Sequence, residues 1–303
     1  MIPESEAAKS GGRFWIRITA YVTLALLICL IFHGNRSNPV QWPLSSMIGV
    51  GNGGHGKSAR STHHLANVTD SGSGVVIIPR IEDTMFPSSW ADSDAPTSAS
   101  EPNAEKVPAA IKGIEKALRK YPNVLLKQNL IKIYVVDNLM VDGVPSGGVN
   151  CPERKTLYVD LDNLEPNEIV AWAEETVHHE FAHLLADNHP ALFSTDSWAK
   201  LNNPGFRYGN GGTDAIRHGH DGDRISEDFL SSGFVEEYSK SDADEDFATL
   251  SERLLSGDRN VLRAADHYPV LHRKEIAVFK FYHSLSDSLT ETYIRKLPSS
   301  TTP

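Results

Sequence analysis

The residues whose types and spacing could do chemistry are concentrated between His178 and His189, in the stretch HHEFAHLLADNH. His179 and His183 stand four apart, with Glu180 directly after the first. Positions four apart on a helix are neighbours, so both imidazoles could share one cation. Two imidazoles alone leave zinc under-ligated, because a catalytic zinc site takes three protein ligands and keeps a fourth position for water. Glu180, one step round the helix, is placed to accept that water's proton as general base. The third ligand is the open question. His189 lies six residues after His183 and gives His-Glu-x-x-His-x-x-Ala-x-x-His, close to the metzincin pattern. That pattern wants glycine where Ala186 stands, so that the chain can turn sharply, and a methionine turn downstream. Met1, Met47, Met85 and Met140 all precede the helix. The distant alternative is Glu245, which opens a helical pattern with Phe247, Leu250, Leu254 and Leu255 on its apolar face; Tyr238 stands seven residues before it.

Three blocks of residues carry a resemblance: His179-Glu180-Phe181-Ala182-His183, then Gly233-Phe234-Val235 with Tyr238, then Glu245-Asp246-Phe247-Ala248. Together they resemble the "putative zinc-binding metallopeptidase" family, gluzincin-type zincins that include many bacterial surface lipoproteins, and more distantly the catalytic domain of anthrax lethal factor. The resemblance covers about residues 104–297, including the Gly147-Gly148 turn. It implies one catalytic Zn2+ held by His179, His183 and Glu245, with Glu180 as general base and Tyr238 as hydroxyl donor to the oxyanion of the tetrahedral intermediate. The substrate it implies is a peptide or protein. The fold it implies is α+β: a small mixed sheet, with KTLYVDLD as the candidate edge strand for peptide binding, an active-site helix and a helical C-terminal part.

Two positions depart from the family pattern. Thr249 stands four after Glu245, where an acidic residue commonly orients a zinc-bound imidazole; Asp187, Glu252 and Asp246 are candidates to replace it. Ser239 stands where alanine is usual. Asn202 to Asp223 reads as a polar, Gly-rich loop longer than in relatives, and carries His218, His220 and Asp221.

The elements that must position these residues are legible from periodicity. Val107, Ile111, Ile114 and Leu118 recur at helical spacing and the run stops at Pro122. LIKIYVVD and KTLYVDLD read as strands on either side of a Gly-rich turn. A long helix begins near Pro166, a favourable first-turn residue, and several helices follow Ser226. Helix, strands, long helix, then helices is an α+β order, with one compact domain over 104–298.

Composition bounds the rest. Hydrophobic residues make up 40% of the 303 and charged residues 22%, as in a globular protein, while a net charge of −10 excludes the basic face that nucleic acid requires. Cys29 and Cys151 are the only cysteines, so neither a disulfide framework nor a cysteine zinc ribbon is expected. Residues 14–33 form an apolar run, uncharged from Ile18 onward, with Lys9 and Arg13 in the tail 1–13 and Arg17 just ahead of the uncharged part. It reads as a transmembrane anchor with an extracytoplasmic catalytic domain, or as a signal segment cleaved on secretion. Residues 34–103 are rich in Gly, Ser, Pro, Asn and Asp and read as a flexible stalk, with one island from Val75, VVIIPRIEDTMF, able to dock as a strand. A rival function is an inactive zinc-containing binding module on a membrane-anchored stalk. Oligomeric state is not legible in the sequence.

Overall fold

The computed structural model describes residues 18–19, 65–91 and 95–300. Its strands are β1 (Ile18–Thr19), β2 (Val68–Thr69), β3 (Val76–Ile78), β4 (Ser98–Ser100), β5 (Lys132–Val141), β6 (Val144–Pro145), β7 (Gly148–Cys151) and β8 (Thr156–Asp160). They form one mixed sheet in the order β1-β7-β8-β5-β3-β2, with β4 and β6 also pairing with β5. β5 runs parallel to both β3 and β8, while β7 is antiparallel to β8. Asp142 and Gly143 turn β5 into β6 with φ of 49° and 77°, the positive pair that a two-residue type I′ hairpin needs.

Alternation along the central strands builds two cores. Ile133, Val135, Leu157 and Val159 face one side, where α1 (Val107–Leu118), α2 (Asn123–Asn129) and α3 (Ile169–Asn188) pack. Tyr134, Val136 and Tyr158 face the other, against Met85 and Trp90. The C-terminal part is helical: α4 (Thr195–Ala199), α5 (Gly212–His218), α6 (Glu227–Ser232), α7 (Ala243–Leu255), α8 (Arg259–His267), α9 (Pro269–Leu285) and α10 (Glu291–Arg295). The α+β expectation is borne out, including a helical C-terminal part.

Three expectations differ from the fold. KTLYVDLD is β8, an inner strand between β5 and β7, and four of its five residues are buried. A strand covered on both faces reads as continuous apolar sequence, whereas its neighbour β7, which lies between β8 and β1, is short, glycine-led and easily taken for turn. In the stretch 34–103, residues 65–91 and 95–100 pack on the sheet, with Val75 and Ile77 wholly buried in the main core and Trp90 in the second; the island at Val75 docks as β3. The rest of that stretch lies outside the described residues.

The membrane span over 14–33, and the extracytoplasmic location drawn from it, are not upheld. Among the described residues no helix is long and apolar enough to cross a membrane. Within 14–33 only Ile18 and Thr19 are described, and they are extended, their backbone paired antiparallel with Val149 and Gly148. The remainder of 1–64 lies outside the described residues.

Candidate metal centre

α3 carries His179, Glu180 and His183, and it is buried nearly all round: every residue from Ala173 to Ala186 lies in the interior. A helix apolar on all sides belongs in a core, and the ionisable groups it brings inside need partners there. α7 supplies one. Asp242 precedes it in extended conformation and its carboxylate accepts the backbone N–H groups of Asp244 and Glu245, both at 2.8 Å. That cap fixes the first turn and aims Glu245 at α3. Tyr238 is buried in the short 3-10 turn ahead of the cap.

The donor atoms converge. Nε2 of His179 stands 3.1 Å from Nε2 of His183 and 3.1 Å from Oε2 of Glu245, and His183 Nε2 lies 3.2 Å from the same oxygen. All three residues are buried. Two imidazole nitrogens and a carboxylate oxygen are ordinary zinc donors, and tetrahedral ligands about 2.0–2.1 Å from an ion stand roughly 3.3 Å from one another. The chemistry and the spacing both fit, and the group could hold one metal ion.

The electrostatics point the same way. Burial lowers the His179 pKa, but hydrogen bonds to Glu245 and Glu252 overcome it and raise it to about 10. Burial raises the Glu245 carboxyl, yet His183 and His179 hold it down at about 2. Surroundings that would keep a proton on a buried imidazole favour any cation at that point.

Glu180 is wholly buried beside the strand β7. A Cβ on Gly148 would fall 2.9 Å from Glu180 Oε1 and 2.6 Å from Thr176 Cγ2, so only glycine lets the strand pass this close. Burial pushes the Tyr238 phenol well above its usual range, followed by the charges of Glu245 and Asp242 and a hydrogen bond to Glu245. Tyr238 therefore joins the cluster.

His189 does not. It caps α3 with its N–H on the Leu185 carbonyl, and its ring lies 3.2 Å from Asn129 Oδ1 on α2. In the loop 202–223, His218 pairs with Asp214 and His220 with Glu237, all of them exposed. The loop instead supports Tyr238, whose N–H donates to the Gly222 carbonyl at 3.2 Å.

Residues 115–277, more than half of the chain, match the model of the family described as "Putative zinc-binding metallo-peptidase". The chain belongs to this family. No curated protein matches it. It is similar to a solved structure described as a "putative zinc-binding metallo-peptidase", from Bacteroides caccae ATCC 43185, with 17% identity and a TM-score of 0.46 over 74% of this chain and 84% of that one.

Around the donors of this family member lies a polar shell that sequence reading left unresolved. Glu252 Oε2 is 3.0 Å from His179 Nδ1, and Glu252 Oε1 is 3.3 Å from Nε of Arg253. The Arg253 guanidinium also meets Glu175 Oε2 at 3.4 Å and Glu236 Oε2 at 3.3 Å. Asp246 is committed elsewhere: its Oδ2 accepts from Lys274 at 2.7 Å, Trp198 at 2.8 Å and Tyr208 at 2.5 Å. Glu175, one helical turn before His179, and Arg253 line a cavity of about 1410 Å³ shared with Ser146, Gly147, Asp160 and Trp172. At that volume the cavity exceeds the roughly 300–1,000 Å³ usual for a small-molecule site, and it reaches the donor set through Glu175 and Arg253 rather than through the donors themselves. Arg253 carried no motif and could have been suspected only from its place one residue after Glu252.

Proposed function

We propose that the protein is a zinc metallopeptidase of the gluzincin type that hydrolyses peptide bonds in a peptide or protein substrate. One observation carries the reading: the 3.1–3.2 Å triangle of His179, His183 and Glu245 donor atoms, with Glu180 and Tyr238 buried beside it. In this reading those three residues are the ligands of one zinc ion. Bound there, zinc supplies a Lewis acid that polarises the scissile carbonyl and acidifies water.

The remaining chemistry belongs to the chain. Glu180 takes the proton of the attacking water on its carboxylate and later delivers it to the leaving amine. Its burial puts that exchange in low-dielectric surroundings, which strengthen it. The Tyr238 phenol, kept protonated by burial, donates to the oxygen on which negative charge develops. The cavity lined by Glu175 and Arg253 receives a side chain of the peptide.

The test combines metal content with turnover on the full chain. Wild type should hold one zinc per chain, Glu245→Ala should lose it and His189→Ala should keep it. Glu180→Gln should retain zinc while peptide hydrolysis falls about 10²–10⁴-fold, the usual contribution of a general base. Loss of zinc in His189→Ala rather than Glu245→Ala, or full turnover in Glu180→Gln, would overturn the reading.

A further inference from the structure

We propose that Glu252 is the positioning residue that orients the His179 imidazole, a role that the residue four after Glu245 cannot fill in this chain. The inference rests on the reading of His179 as a metal ligand. A ligating imidazole binds through one nitrogen and is held in tautomer and rotation by what its other N–H meets, commonly a carboxylate. His179 presents Nε2 to Glu245 and His183 at 3.1 Å, and Nδ1 to Glu252 Oε2 at 3.0 Å. The ring is thus held at both ends, with His179 and Glu252 each at about 1% exposure.

The helix explains why Glu252 can reach. Residues 245, 249 and 252 fall at i, i+4 and i+7 and share one face of α7, so all three look toward α3. Thr249 is equally buried, but its hydroxyl sits on Cβ and makes no hydrogen bond in the protein. A glutamate one turn further along spans the extra rise with its longer side chain. One helix therefore supplies both a ligand candidate and the group that fixes another.

Arg253 completes the arrangement. Glu252 is bifunctional, one oxygen on His179 and the other on Arg253 Nε. Arg253 is itself braced by Glu175 from α3 and Glu236 from the segment before Tyr238. The guanidinium stops the Glu252 carboxylate from rotating away and keeps two further buried acids from being uncompensated.

The experiment measures zinc affinity by competition with a chelator, and the visible spectrum of the cobalt(II)-substituted protein, for wild type, Glu252→Gln and Thr249→Val. Glu252→Gln should bind zinc about 10–100-fold more weakly, the usual loss when such a partner is removed, and should shift the cobalt bands. Thr249→Val should match wild type in both. The thermal midpoint of the metal-free proteins separates positioning from scaffolding: a structural Glu252 would lower the metal-free midpoint and leave zinc affinity and the cobalt bands unchanged, which overturns the assignment. Equal zinc affinity in Glu252→Gln and wild type overturns it as well, while leaving the peptidase reading intact. Absence of zinc binding in wild type would sink both.

Discussion

A methyl group on Gly148 would meet the γ-methyl carbon of Thr176 at 2.6 Å and Oε1 of Glu180 at 2.9 Å, separations that unstrained atoms do not adopt. Either β7 withdraws from α3 or the Glu180 side chain rotates, and both disturb the group proposed as base. Gly148→Ala should therefore keep its zinc, lose about 1–3 kcal/mol of stability as an overpacked core site does, and lose most of its kcat. Denaturant unfolding together with peptide turnover checks this; a variant with wild-type kcat would show that the close approach has no bearing on the chemistry. At this scale legibility depended on sequence distance. His179, Glu180 and His183 could be read because helical spacing places them together locally. Glu245 stood as one of two open candidates beside His189, and the choice of it came only with the resemblance. Glu252 stayed one of three candidates, since its contact with His179 joins residues 73 apart and no period in the sequence encodes that register.

α7 does more than carry Glu245, because its capped first turn sets the direction in which that carboxylate projects. The Asp242 carboxylate accepts two of the N–H groups that every helix start leaves without an intrahelical partner. Asp242→Ala should cost about 1 kcal/mol as a lost cap, and the freed turn should let Glu245 drift. Zinc affinity, measured by competition, should fall while Glu252→Gln and Asp242→Ala give separable losses, the former on the ring of His179 and the latter on the carboxylate of Glu245. Wild-type zinc affinity in Asp242→Ala would mean that packing of Phe247 and Leu250, both buried, fixes α7 unaided. The elements themselves were legible where periodicity is strong: the helix over 107–118, the strands around Ile133 and Leu157, the long α3. Their order across the sheet was not. A strand's neighbours depend on which partner covers its edge, and alternation in β8 is the same whether β7 lies beside it or solvent does.

Across the molecule, several buried acids bind protons more readily than they would in an unfolded chain. Burial, helped by Asp162 and Asp137, raises Asp160 to about 8 against the hydrogen bonds from the Leu139 and Asp162 backbones. Burial likewise raises Glu236 and Glu175, opposed by Arg253. Each folded pKa lies above its unfolded value, so the native state holds more protons between them, and unfolding free energy falls as pH rises through that window. The metal-free protein should thus be more stable near pH 5.5 than near pH 8.5, with the loss centred on about pH 5–8. Added zinc should reverse the trend, because metal ligands must be deprotonated to bind and affinity climbs with pH. Asp160→Asn keeps an oxygen for the Leu139 N–H at 3.2 Å but cannot ionise, so it isolates one contributor. Urea unfolding of chelated protein at a series of pH values should show a shallower decline for Asp160→Asn than for wild type. Parallel curves would place the proton uptake on the acids around Arg253, and the zinc-loaded curves would then report how far that cluster, through Glu252 and His179, ties the fold to its metal.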